Sequence, residues 1–199
     1  GDSVMLGNGT RGINTDSAMQ MTKPAGIPNI KMIQGNRNGI ATNSIVSYYL
    51  LGTDKKIYSL GANNSGQLGD RTTTYRSVWV NARYPDSTII DNAKWISANE
   101  HDPNYNGLGV LNDNYNVYTA GINSGSMLGR ALVTINHLDT PNGIFKTDKI
   151  LFVEVGGHTT AYINDAYSTY GYIGHRVNGS LGDSTTASGT IMSVTYNTA

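Results

Sequence analysis

The chain has no cysteine, which excludes structural disulfides and thiolate chemistry. Charge is sparse: 14% of the 199 residues are Asp, Glu, Lys or Arg, and the formal net charge is zero. Lys55-Lys56 is the only adjacent basic pair, so no basic face is visible for nucleic acid or for an anionic membrane surface. No run of about 18 apolar residues occurs, so no transmembrane helix is expected. The opening "GDSVMLGNGT" lacks the charged and apolar regions of a signal peptide and begins within a turn-like pattern. From that start a cleaved or truncated product is expected. Glu is almost absent, occurring only as Glu100 and Glu154.

Gly, Asn, Thr and Ser fill the space left by charge. With 13 Tyr, 5 Pro and many short Val/Ile/Leu/Tyr runs, the chain reads as ordered, all-β and dense in turns. A Leu-Gly pair recurs about every 60 residues, as Leu6-Gly7, Leu68-Gly69, Leu128-Gly129 and Leu181-Gly182. Ahead of the last three lie Gly61, Gly121 and Gly174, in "GANNSGQLG", "GINSGSMLG" and "GHRVNGSLG". Upstream again, Asp54, Asp113 and Asp165 fall between apolar runs, as hairpin turns require. Tyr58 and Tyr118 each precede the first Gly of their unit by three residues. The glycines are expected to hold backbone angles that other residues resist, and the Leu to plug the gap between adjacent sheets.

These segments, with Val155-Gly156-Gly157-His158-Thr159 as a blade start, resemble the RCC1 repeat (regulator of chromosome condensation 1). The resemblance implies an all-β fold of β-propeller blades, and a structural role for His158. It divides the chain into the end of a truncated blade at 1–29 and repeats at 30–93, 94–148 and 149–199. That is about three and a half units, where propellers close with four to eight blades and members of this family usually have seven. A partial propeller, or one completed by other copies, is therefore expected, since bare sheet edges are avoided.

Catalytic signatures are thin. "GNGTRG" has glycine spacing but no following helical period. No Gly-x-Ser-x-Gly elbow occurs. The loop acids worth noting outside the repeat turns are Asp86, Asp91, Glu100 and Asp102, from which a glycan-cleaving pair would be drawn. No two of the four His stand at metal-ligand spacing, and "NEHDPNYN" lacks the order of a calcium loop. Neither a metal nor a cofactor is expected. The sequons at Asn8, Asn63 and Asn178 coincide with repeat turns and are read as coincidence.

What remains is surface. Tyr supplies rigid amphipathic contact area, and Asn and Ser supply adaptable hydrogen bonds. Three segments qualify: Tyr75, Arg76, Trp79, Arg83 and Tyr84; His101, Asn104 and Tyr105; and Asn112 and Tyr115. The reading that follows is a non-enzymatic binding module. Its leading form is a phage or viral surface adhesin, a trimeric tail-fibre tip at the virion surface or outside the cell. Such a tip would recognise a bacterial surface glycan or outer-membrane protein. The alternative is an RCC1-like propeller that binds a protein partner, of signalling or enzyme-inhibitor type. A glycan depolymerase is the enzymatic competitor.

Overall fold

The computed structural model describes Gly7, Gly9 and residues 20–37, 46–99, 106–123, 126–129, 135–140, 149–165, 169–176 and 189–198. Among the described residues, twelve strands form three four-stranded antiparallel meanders. The first sheet holds β1 (Ile30–Arg37), β2 (Val46–Gly52), β3 (Ile57–Gly61) and β4 (Arg76–Asn81). The second holds β5 (Ala93–Ala98), β6 (Gly107–Asn112), β7 (Val117–Gly121) and β8 (Ile135–Asp139). The third holds β9 (Ile150–Val155), β10 (Thr159–Asn164), β11 (Thr169–Arg176) and β12 (Gly189–Thr198). Each sheet packs on the next through its leading strands: β1 and β2 against β5, then β5 and β6 against β9. The result is a fan with β1, β5 and β9 side by side at its inner edge.

Two apolar seams hold the fan. Between the first and second sheets, Tyr49, Leu51, Ile57 and Leu68 meet Ile96, Leu108, Val110 and Ala120. Between the second and third, Leu111 and Val117 meet Ile150, Val153, Tyr162 and Ile173. Leu68 and Leu128, the Leu of the Leu-Gly pair, are both fully buried. Burial of a Leu contributes about 1.5–3 kcal/mol. Both are fixed by the same device: the side-chain Oδ1 of Asn63 accepts from Leu68 N–H at 2.9 Å, and that of Asn123 accepts from Leu128 N–H at 2.7 Å. Asn63 is fully buried, so its sequon offers no accessible amide.

The repeat glycines are required by backbone geometry. Gly61, Gly121 and Gly174 have φ of 115°, 109° and 124°. A Cβ at these positions would lie 2.3, 2.2 and 2.4 Å from the carbonyl oxygens of Val46, Asn106 and His158. Those same carbonyls accept hydrogen bonds from Ala62, Ile122 and His175, so three blades repeat one closure.

The hairpin turns differ from the sequence expectation in one respect. Lys55 and Tyr115 are the left-handed residues, with φ of 62° and 64°. That registers Asp113 with Thr53 and Asp165, and Asp54 with Asn114. The N–H groups of Thr53, Asp113 and Asp165 donate to the carbonyls of Asn29, Asn92 and Lys149. Asp54 instead folds its carboxylate back over Gly52, accepting from Lys56 N–H and from the Tyr58 hydroxyl. In the second blade Asn112 replaces that glycine, and its own Oδ1 accepts from the N–H groups of Asn114 and Asn116. One turn is capped from within by two different residues, which is why the acids do not align.

Gly7, with φ of 70°, matches Gly69 and Gly129 at 68° and 78°. Gly9 N–H donates to Ser77 O on β4, as Arg71 N–H donates to Asn136 O on β8. Gly9 thus sits on the first sheet as the end of the first Gly-rich turn sits on the second.

Candidate functional site

The antiparallel register gathers one end of all three sheets. Ile30 pairs with Gly52, Ala93 with Asn112 and Ile150 with Asn164, so the inner strands start where the hairpin turns lie. Adjacent blades are stitched here by main chain: Ala93 N–H donates to Lys55 O and Ile150 N–H to Tyr115 O. The two acceptors are the left-handed turn residues, so each turn both closes its own hairpin and holds the next blade.

Lysines collect at this end. Lys31 and Lys94 each follow the first residue of an inner strand, at the bulge where the pairing register slips. Lys149 immediately precedes β9. The Lys94 Nζ lies 3.6 Å above the Tyr115 ring centroid and that of Lys149 lies 6.0 Å away, within the reach of a cation–π contact. Tyr115 is 36% exposed. The Lys31 ammonium donates to Lys94 O at 3.2 Å. Partial burial, with some help from the Lys31 charge, holds the Lys94 ammonium below its ordinary pKa; Asp113 opposes this. Lys55 binds Asp113 at 2.6 Å, with both side chains well exposed, a pair worth little in stability. The site is therefore an exposed aromatic ring set among ammonium groups: a surface that favours an anionic partner carrying apolar area.

Of the candidates read from sequence, Tyr115 stands at the centre of this site. Its neighbour Asn112 is buried and its Oδ1 caps the turn, so it is a structural residue. Tyr84 lies edge-on to Tyr118, with centroids 5.0 Å apart, and its hydroxyl donates to Asn92 Oδ1. Burial raises its phenol pKa. Trp79 packs on Ile27, Leu50 and Tyr58 and donates its indole N–H to Thr22 O at 2.6 Å. Arg76 binds Asp70, whose side chain is 3% exposed, at 2.6 Å. Arg83 donates to Ser87 O at 2.7 Å, and Tyr75 is half-buried. These five contribute to the first blade and its following loop rather than to the lysine site. His101, Asn104, Tyr105, Glu100, Asp102, Asn8, Asn178 and Leu181-Gly182 lie outside the described residues. The lysines were missed, although "NIKMI" and "NAKWI" (Asn29–Ile33 and Asn92–Ile96) carry a visible signal, a Lys at one place in two repeats.

At the opposite end, an open cleft of about 670 Å³ lies between the ends of the inner strands, lined by Gln34, Asn99, Glu154 and His158 among others. Among the described residues, no group of three or more His, Cys, Asp or Glu could hold a metal ion.

No protein-family model matches the chain, and no curated protein matches it. Solved structures do. Prp20p of Saccharomyces cerevisiae, described with its binding properties to Gsp1p and histones, superposes with a TM-score of 0.64 at 16% identity, over 84% of this chain and 38% of that one. Yeast RCC1 (Prp20) bound to Kap60 gives 0.60 at 17% identity, over 89% and 38%. Human WBSCR16 gives 0.61 at 13% identity, over 76% and 37%. The fold is that of RCC1 propeller blades. The chain spans 37–38% of the length of these RCC1-type structures, so it presents part of such a propeller. The fold expected from the repeat is thus borne out. None of the three neighbours is described as a viral fibre or an adhesin, and that expectation gains no support from them.

Proposed function

We propose that the chain is a non-enzymatic, protein-binding segment of an RCC1-like propeller, and that it binds through the lysine-lined end around Tyr115. The observation that carries this reading is the placement of Lys94 and Lys149 over an exposed Tyr115, with Lys31 alongside. Main-chain hydrogen bonds from Ala93 to Lys55 and from Ile150 to Tyr115 already join the blades at this end, so the junctions do not rest on these side chains alone. Tyr is among the residues that protein interfaces use as anchors, and the surrounding lysines set the charge of the partner. The partner is a protein surface carrying carboxylates, since like-charged surfaces repel and opposite ones steer association. Two of the similar structures concern a propeller described as binding other proteins, which favours this reading over a glycan-binding one.

The test uses two baits, the native chain and the Lys31→Glu/Lys94→Glu/Lys149→Glu variant, after matching their thermal melts. Proteins retained by the first and lost from the second, with retention falling as salt rises, are the expected outcome. Equal retention by both baits sinks the reading. Binding to bacterial surface glycans in place of proteins would restore the adhesin alternative.

A further inference from the structure

The third blade differs from the first two at the pair of positions that makes the blade closure. The closure that joins Val46 O to Ala62 N–H and Asn106 O to Ile122 N–H joins His158 O to His175 N–H. Two imidazoles thus occupy positions where the first blade has Val and Ala and the second has Asn and Ile. Their Nδ1 atoms face each other at 3.3 Å, with ring centroids 5.5 Å apart. Both side chains are half-buried, and His158 borders the open cleft.

We propose that His158 and His175 form a two-histidine chelate for a divalent transition ion of the zinc, nickel or copper class, with solvent from the cleft completing the coordination. The spacing is the first ground. Two Zn–N bonds of about 2.0–2.1 Å meeting at a tetrahedral angle separate their nitrogens by about 3.3–3.4 Å. The second is atom economy. Without metal, the contact requires one ring to carry its proton on Nδ1 and the other to accept it. Moving that proton to Nε2 frees both Nδ1 lone pairs with no change in net charge. The third is rigidity. Both rings are carried by main chain already tied by a hydrogen bond from His175 N–H to His158 O at 2.9 Å, so little is lost on ordering them. A bound ion would fasten the turn between β9 and β10 to β11 and fix one wall of the cleft.

The experiment is calorimetric titration of the tag-free chain with zinc chloride, repeated with cobalt(II) to read ligand-field bands. His158→Asn and His175→Ile install residues that the second blade uses at the same places, so both variants should keep the native melt. Each is expected to weaken zinc binding at least about tenfold and to remove the low-symmetry cobalt bands. His137→Ala, on β8, should leave both signals in place. Absence of one-to-one binding to the native chain overturns the proposal. So does retention of native affinity in both the 158 and 175 variants.

Discussion

Gly121→Ala is the sharpest probe of the blade closure. The new Cβ would begin 2.2 Å from Asn106 O and 3.0 Å from the Gly107 Cα, both backbone atoms that cannot rotate away. Relief requires β6 and β7 to part by close to an ångström where Ile122 N–H donates to Asn106 O at 2.9 Å. The φ of 109° adds strain of about 1–3 kcal/mol for an L residue. Weakening one buried backbone hydrogen bond adds about 1 kcal/mol. The expected loss is therefore about 2–4 kcal/mol, or roughly 5–15 °C in Tm for a domain of this size. Gly26→Ala is the internal control. It shares a positive φ, 76°, but its Cβ would meet nothing within 4 Å, so only strain of about 1 kcal/mol is expected. Urea unfolding of both variants measures the difference. If Gly121→Ala costs no more than Gly26→Ala, the carbonyl contact does not constrain the blade and the account of the repeat glycine is wrong.

Leu68→Ala should destabilise the chain by about 2–5 kcal/mol in the same assay, because a fully buried side chain is deleted between two sheets. Asp70→Asn should cost about 2–3 kcal/mol, since Asp70 also accepts from Asn63 and Thr72 and is Arg76's partner; an effect below 0.5 kcal/mol would show the network to be idle. Burial and the Asp54 carboxylate beside it push the Tyr58 phenol up to about 12. The folded state then holds that proton above pH 10, where the unfolded chain has released it. This contribution to stability is complete below pH 10 and is lost as the pH rises towards 12. Urea midpoints across that window should fall less steeply for Tyr58→Phe than for the native chain, and identical slopes would refute the assignment.

Much of the fold was legible because backbone geometry leaves few residue choices. Gly61, Gly121 and Gly174 stand out in the sequence since no other residue fits against the opposite carbonyl, and Leu68 and Leu128 because a seam needs one large apolar plug. The turn acids misled, because a polar turn can be capped from either of two positions, as Asp54 and Asn112 show. The lysine site was hidden for another reason. Lys94 meets Tyr115 only through the pairing of β5 with β6, and Lys149 joins them only when the third sheet packs on the second. His158 and His175 likewise meet through the register of β10 with β11, which sequence spacing does not encode. Trp79 and Tyr84 stay open between packing and surface in the sequence, because aromatic residues beside polar ones look alike whether they pack on a sheet or await a partner.

The stitches at Lys55 and Tyr115 have a consequence for cooperativity. Among the described residues, sheet packing runs from the first blade to the second and from the second to the third, so coupling is between nearest neighbours. Such an array behaves as a short one-dimensional lattice, with a free energy for each blade and one for each junction. Damage at the Tyr115 junction then releases the third blade while the junction at Lys55 stays closed. Hydrogen exchange should resolve that as two separate openings, each reported by its own amide: Ile150 for one junction and Ala93 for the other.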